Sequence, residues 1–287
     1  MAWVIYSLIY AIFNAIYLGY NSKYHYNAYF LGIIRGFGIS LISLPFLFTT
    51  NLNIDVEQLI LLIIQGILIG FYDSHIFFAS SRYGVHSTSG FLATSVLVTL
   101  ICWWIIEFND LKQLLFEKVK FISICFILSG ISISYWAMMN VHINSKAEKY
   151  LYPAVFALAF MSISTRYITL YTKNIHDGII HYLVVSCFIS GIYNFFCYIK
   201  YSKKTIKNER KNIKISSLIW LIIFSTILIT AKSMALRLAF NPSYVVAMLL
   251  ISPIFADLLN SKKFKINDNC IIFFTFILLL ILFSLEQ

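Results

Sequence analysis

Ten separated apolar stretches, each long enough to cross a lipid bilayer, occupy most of this 287-residue chain. A hydrocarbon core of about 30 Å needs roughly 20 helical residues to span it. The connections between the stretches are short, so little sequence is left for a separate soluble domain. The predicted spans are Ala2–Tyr20, Ala28–Phe48, Leu59–Ser80, Ser87–Ile106, Phe121–Met139, Leu151–Leu170, Gly178–Ile199, Ser216–Leu236, Pro242–Leu259 and Cys270–Leu285.

The composition favours an all-α integral membrane protein. Hydrophobic residues make up 60% of the chain and charged residues only 12%, which excludes a soluble globular fold. A transmembrane β-barrel would alternate apolar and polar residues, and runs such as Ile271–Phe283 do not alternate. The first apolar stretch has no basic region before it and no small-residue cleavage site, so we expect a retained helix.

The chain also contains two similar halves. A segment that begins at Phe77 has a counterpart that begins at Ser233, and each joins two predicted spans through a short turn with an arginine, Arg82 or Arg237. Five spans fall in each half, which we place at residues 1–140 and 150–287. An odd number of spans per half inserts the second half upside down, so the sequence predicts ten transmembrane helices in an inverted five-plus-five repeat.

Several short motifs accompany this repeat. A polar residue, Asn14, lies in the first span, and Arg35 lies in the glycine-rich second span. Each half has an alanine shortly before its turn arginine, and the second half has a Ser252-Pro253 element. Asn241 followed by a proline predicts a helix N-cap, and Pro253 predicts a kink in the ninth span because the carbonyl of Leu249 loses its amide partner.

With these motifs, the chain resembles the drug/metabolite transporter superfamily, specifically its ten-helix EamA type, over nearly its whole length. The first half departs from the family pattern because no proline follows Ser95, and Glu107–Asp110 only loosely matches the acidic turn after the fourth span. The resemblance implies secondary transport of small organic solutes through a central cavity, in a multi-pass protein of a bacterial inner membrane.

Charged side chains inside apolar spans are costly, about 2.5–3.5 kcal/mol each on insertion scales. Four of them stand out as candidate functional groups: Arg35, Asp73, Arg166 and Lys232. Arg35 and Asp73 each lie about 10 Å from the same membrane face at 1.5 Å per residue, which predicts an ion pair. Asp73 shares a helix face with Gly66 and Gly70, so it should point at a neighbouring helix.

Lys232 and Arg166 each lie about 6 Å from the opposite face, roughly 14 Å in depth from Asp73, which argues against a Lys232–Asp73 pair. No acidic residue lies at their depth within the spans. Two interpretations stay open for these cations. Either their long stems carry the charges to the membrane surface, or they form a cationic half-cavity for the carboxylate or phosphate of a solute.

Other polar and aromatic residues could line a solute site: Asn14, Tyr72, His75 and Trp136. His75 and His86 flank the turn between the third and fourth spans, where they could relay protons or serve as hydrogen-bonded structural residues. Tyr72, Trp104 and Trp136 could stack on a planar or cationic solute, although tryptophan at a span end commonly anchors a helix at the membrane interface.

The loops predict an orientation that conflicts with the resemblance. The odd-numbered loops carry fourteen Lys and Arg residues, seven of them between Lys200 and Lys214, and the even-numbered loops about five. The positive-inside rule then places both termini outside the cell, whereas ten-helix relatives usually keep both in the cytosol. No folded module surrounds the basic loop, so we expect contact with anionic lipid and no nucleic-acid binding.

Together these features predict a secondary transporter of a small polar metabolite, with an amino-acid-like zwitterion or anion favoured. Uptake of a nucleotide or an S-adenosylmethionine-like metabolite is the main alternative, and a membrane scaffold without transport is another. No P-loop is present, so the energy would come from a proton or solute gradient, with counter-transport possible. An intramembrane enzyme built on Asp73, His75 and His86 is not expected, nor is any metal or cofactor, because no catalytic or ligand motif accompanies these residues.

Overall fold

In the computed structural model, residues 1–51, 54–89, 92–139, 145–201, 214–259 and 268–285 are described, and within them the chain is helical with no β-strand. The helices are α1 Ala2–Tyr24, α2 Ala28–Leu47, α3 Val56–Ser89, α4 Leu92–Ile106, α5 Phe108–Phe116, α6 Lys118–Met139, α7 Ser145–Tyr171, α8 Ile175–Tyr201, α9 Ile215–Leu238, α10 Pro242–Leu249, α11 Ser252–Leu259 and α12 Asp268–Phe283.

Seven of these helices are long and apolar enough to cross a membrane: α1, α2, α3 up to Gly84, α6, α7, α8 and α9. The others are shorter. At Glu107 the chain turns by 98° between α4 and α5, and none of the α5 residues is buried. The chain is therefore all-helical in its described parts, with the helices of a multi-pass membrane protein.

Local chemistry explains where several helices begin and end. After α1, His25 adopts a left-handed conformation and its amide bonds to the carbonyl of Asn21, a common helix ending. Asn27 then caps α2, because its side chain accepts hydrogen bonds from the amides of Tyr29 and Phe30 at 3.0 and 3.2 Å. Asn241 caps α10 in the same way, as predicted, and accepts from the amide of Ser243 at 2.9 Å.

Glycines bring α2 and α3 close to α8, which contains a π-helical turn at Tyr182–Ser186. A Cβ at Gly36 would lie 2.5 Å from the backbone nitrogen of Gly191, and a Cβ at Gly66 would lie 2.6 Å from the carbonyl oxygen of Ser186. The glycine spacings of the second and third spans therefore serve close helix packing. The same packing turns Asp73 toward α1 and α2.

The centre of the bundle is formed by α1 and α3. Helix α1 packs mainly on α9 and α3, α3 packs on α7 and α8, and α2 packs on α8. At the periphery, α6 packs on α12, and α4 packs on α7 and α10. Polar side chains on the inner faces of α1, α2, α3 and α9 are thereby brought together.

Candidate solute site

Three side chains that are ordinarily charged at neutral pH are more than nine-tenths buried in the described part of the chain. They are Arg35 at 4% exposure, Asp73 at 1% and Lys232 at 2%. They come from α2, α3 and α9, and we call them and the polar side chains around them the polar centre. If all three were ionised, their charges would sum to +1, and the described residues supply no further buried acidic side chain to balance it.

Arg35 and Asp73 form the buried ion pair that their depths predict. Nη1 of Arg35 contacts Oδ2 of Asp73, and the other carboxylate oxygen accepts a hydrogen bond from the Tyr17 hydroxyl at 2.5 Å. The guanidinium carbon of Arg35 lies 5.0 Å from the centre of the Tyr17 ring, within the range of a cation–π contact. The Asp73 carboxylate is thus held from two sides, by α1 and by α2.

Lys232 lies near this pair, and its Nζ is buried with no hydrogen-bond partner among the described residues. Its charge interacts with those of Arg35 and Asp73. The described residues contain no Lys232–Asp73 ion pair, as expected from the sequence. The depth separation of about 14 Å is nevertheless too large for charges that influence each other. The depth counted from the predicted span ends fails for two reasons. Helix α3 continues to Gly84, four residues past its predicted end, so Asp73 lies deeper than expected. Helical side chains also lean toward the N-terminus, so the Lys232 side chain reaches deeper along α9.

A polar stripe on α1 forms one wall of the polar centre. Its members recur at spacings of three and four residues, so they share one helix face, and all are buried: Ser7, Tyr10, Asn14, Tyr17 and Asn21. Tyr10 lies within electrostatic range of Arg35, Tyr72 and Tyr182. Asn21 donates to the carbonyl of Phe77 at 2.8 Å, which fixes α1 against α3.

Gln65 forms the adjoining wall on α3. Its Nε2 donates to the hydroxyls of Thr165 and Tyr182 at 2.9 and 3.0 Å, and its Oε1 accepts from Ser164. Gln65 thus joins α3 to α7 and to the π-helical turn of α8. Tyr72, one residue before Asp73, is also buried and interacts electrostatically with Arg35 and Asp73.

Asn14 connects the polar centre to the break between α10 and α11. Its Nδ2 donates to Oγ of Ser252 at 3.2 Å, and the Ser252 hydroxyl donates to the carbonyl of Leu249 at 2.5 Å. Leu249 is the residue whose carbonyl loses its amide partner to Pro253. The helix is interrupted between Leu249 and Ser252, where the proline predicts a break, and the serine before the proline supplies the missing donor.

Arg166 lies elsewhere, at a place that we call the rim site and that consists of Arg166, Tyr167, Trp103, Glu107 and the end of α9. Its Nη1 donates to the carbonyls of Leu236, at 2.8 Å, and Ala239, and its guanidinium carbon lies 5.1 Å from the Trp103 ring centre. Its charge interacts with Asp110 and Glu107. Arg166 therefore caps the end of α9. In this structure its side chain neither extends freely to the membrane surface nor lies with Lys232 in one cavity.

The remaining predicted site residues are not brought into the polar centre. His75 bonds through Nδ1 to the carbonyl of Phe71 at 2.8 Å and stacks on Tyr150 with ring centres 4.9 Å apart, as a structural histidine would. Trp136 lies on the outer face of α6 and is 50% exposed. Trp136 therefore lies away from the polar centre, and its part in a solute site stays a prediction. His86 lies in a helix, but its side chain is outside the described part.

The polar centre also contains four residues that were not predicted from the sequence: Tyr10, Tyr17, Gln65 and Tyr182. For three of them a signal exists. Tyr10 and Tyr17 occur in the polar stripe that includes Asn14, and Gln65 lies seven residues before Tyr72, on the same helix face. Tyr182 has no such signal, because its position depends on the π-helical turn.

Comparison of the chain with protein-family models and with curated proteins gives no match. The chemistry of the site must therefore be deduced from the residues themselves. The polar centre offers a buried ammonium group, tyrosine hydroxyls, an amide and an ion pair, enclosed by apolar helices. Such a set can bind a small anion or the carboxylate of a zwitterion, because a buried charge is stabilised by an opposite charge beside it.

Proposed function

We propose that the protein is a secondary transporter of a small solute with a carboxylate group, and that the solute binds in the polar centre. The observation that carries the proposal is the buried Nζ of Lys232, which lies beside the closed Arg35–Asp73 pair and has no hydrogen-bond partner in the described chain. Ionisable groups inside membrane bundles commonly mark solute or ion pathways. Lys232 is thus the group available to receive a negative charge.

Membership in the EamA type of the drug/metabolite transporter superfamily belongs to the same proposal. The structure has seven long apolar helices. The count becomes ten if three further segments also cross the membrane: α4, the pair formed by α10 and α11, and α12. The packing favours an inverted repeat in two halves, 1–140 and 150–287. The strongest helix contacts are kept when each span is replaced by the span five places along the chain. Helix α1 packs on α9 as α7 packs on α3, while α2 packs on α8 and α6 on α12.

The charge distribution favours an anion or an amino-acid-like zwitterion over a cation. Both oxygens of Asp73 already accept hydrogen bonds, from Arg35 and Tyr17, so no free buried carboxylate among the described residues awaits an amine. A nucleotide or an S-adenosylmethionine-like metabolite is the alternative solute class. It would need aromatic stacking, for which Tyr10, Tyr72 and Tyr182 are the buried rings at the polar centre.

Purified protein screened by thermal shift against neutral, acidic and basic amino acids, monocarboxylates and nucleotides tests the solute class. A bound solute raises the unfolding temperature by mass action, and acidic or zwitterionic compounds should do so. Counterflow of the same compounds, radiolabelled, in proteoliposomes should then show transport. Binding without counterflow would favour a membrane scaffold, and stabilisation by nucleotides alone would favour the alternative solute class.

The inner membrane of a bacterial cell is the proposed location, with orientation still to be measured. A single-cysteine variant at Ser202, in the basic loop, can be treated in intact cells with an impermeant thiol reagent. No labelling is expected if the positive-inside rule holds. Strong labelling would show that the orientation usual for the resembled family overrides the loop charges.

A further inference from the structure

Lys232 differs from Arg35 and Asp73, which neutralise each other. The surroundings of Lys232 suit the neutral amine, because no described acidic side chain remains to balance an ammonium group. The Arg35 charge is neutralised by Asp73, so a protonated Lys232 leaves the polar centre with a net charge of +1. Removing one member of a buried ion pair is strongly destabilising because the remaining charge is uncompensated. An empty polar centre with a charged Lys232 is in that costly condition.

The helices packed against α9 bring few titratable or charged groups to this region. Helix α1 contributes Tyr10 and Tyr17, α2 contributes Arg35, and α3 contributes Tyr72 and Asp73 from beside them. From the other neighbours come Arg166 on α7, which caps the end of α9, His181 and Tyr182 on α8, which bond to Gln58 and Gln65, and Tyr244 on α10.

Of the groups that face Lys232, arginine does not lose its proton in proteins, and tyrosine is neutral at physiological pH. Asp73 is kept ionised by contact with Arg35 and by the Tyr17 hydroxyl. Among the described residues of the polar centre, Lys232 is therefore the one whose charge can change during a cycle of solute binding and release.

We propose that Lys232 couples solute transport to protons, an inference that rests on the proposed function. When a solute carboxylate binds, the neutral Nζ amine takes up one proton from water and becomes an ammonium group beside it. When the carboxylate leaves, the ammonium returns that proton to water. No covalent bond to carbon changes and no electron is transferred. A solute of charge −1 therefore crosses with one proton, and the loaded and empty centres are both neutral.

Nitrogen NMR of the full-length protein, with its lysines labelled with ¹⁵N at Nζ, tests the empty state without any solute. At pH 9 the wild-type spectrum should contain one neutral-amine signal that is missing from K232R, with K232M as a second assignment variant. Saturating L-glutamate at the same pH should convert that signal to an ammonium signal. An ammonium signal for Lys232 in the solute-free protein at pH 9 would overturn the proton coupling.

Transport of radiolabelled L-glutamate in proteoliposomes separates this inference from the proposed function. For the wild type, an acidic exterior should drive accumulation, and a membrane potential set with potassium and valinomycin should have no effect. Accumulation that follows the potential and ignores the pH gradient would overturn the inference while leaving transport in place. Absence of wild-type counterflow for every carboxylate solute would instead remove the proposed function, whatever the NMR signal shows.

The variant K232R sharpens the transport test, because arginine keeps its charge whether or not solute is bound. Its loaded form should still exchange solute, whereas its empty form should cross slowly with an uncompensated buried charge. We expect counterflow within about threefold of wild type and net uptake at least tenfold slower. Net uptake at the wild-type rate with unchanged pH dependence would contradict the coupling role of Lys232.

Discussion

The polar centre and the rim site both hold basic side chains within apolar helices, yet they use them differently. In the rim site, Arg166 donates to the carbonyls at the end of α9 and faces the acidic residues Glu107 and Asp110. In the polar centre, Lys232 has no hydrogen-bond partner in the described chain and lies beside a pair that is already neutral. The first cation completes the fold, and the second is free to receive a ligand.

The contrast shows why the type of residue and its depth do not assign a role to a buried charge. Helix ends leave carbonyls without amide partners, and a basic side chain that reaches them is structural. The same side chain beside a closed ion pair adds charge that nothing compensates. Whether a partner is present therefore separates the two roles, and the variants below test that separation.

The largest effect is expected from the Arg35–Asp73 pair. R35Q and D73N should each lower the free energy of unfolding by about 3–5 kcal/mol, because each leaves a buried charge unpaired, and the double variant should cost less than the sum. Denaturant unfolding in detergent measures these changes. The control is K120Q at the exposed Lys120–Glu117 pair, which should cost less than about 1 kcal/mol. Additive effects would show that the two side chains act independently.

A smaller loss is expected from Y17F, which removes the hydroxyl that donates to Asp73. Hydrogen bonds to charged groups contribute about 1.5–3 kcal/mol, so unfolding should become easier by that amount. Tyr135 gives a matched control, because its hydroxyl donates to the neutral carbonyl of Ser89 at 3.1 Å, for which about 0.5–1.5 kcal/mol is expected. Equal losses in the two variants would indicate that the Asp73 contact has no special strength.

The rim site should respond in stability but not in solute binding. R166Q removes the cap on α9 and should lower the free energy of unfolding by about 1–2 kcal/mol. K232Q removes a buried amine that has no hydrogen-bond partner among the described residues, so it should leave stability unchanged or raise it. Thermal unfolding of both variants provides the comparison. A marked loss of stability in K232Q with none in R166Q would show that Lys232 is the structural side chain and Arg166 is not.

The smallest effect is expected where Asn14 meets the break between α10 and α11. S252A should cost about 1 kcal/mol because the Leu249 carbonyl loses its donor. In a P253A background the restored amide can bond that carbonyl, so S252A should cost less there. Unfolding of the single and double variants measures the difference. P253A alone should also slow transport at normal expression, and an unchanged rate would show that the kink has no role in gating.

Sequence reasoning reached the helical membrane class, the Arg35–Asp73 pair, the Asn241 cap and the proline break, because each depends on composition or local spacing. It failed where three-dimensional packing decides. The partner of Arg166 is a set of backbone carbonyls on another helix, and the neighbours of Lys232 depend on how far α3 extends. Trp136 illustrates the same limit, since its helix face is set by packing on α12 and α4.

Binding of L-glutamate to the purified wild type, K232Q and R166Q, measured by calorimetry at constant pH and salt, tests the role of the polar centre most directly. Loss of a charge-assisted hydrogen bond worth about 1.5–3 kcal/mol should weaken binding by K232Q roughly 10- to 150-fold. R166Q should bind within about twofold of wild type. Wild-type affinity in K232Q, or an equal loss in R166Q, would contradict the assignment of Lys232 as the group that receives the carboxylate.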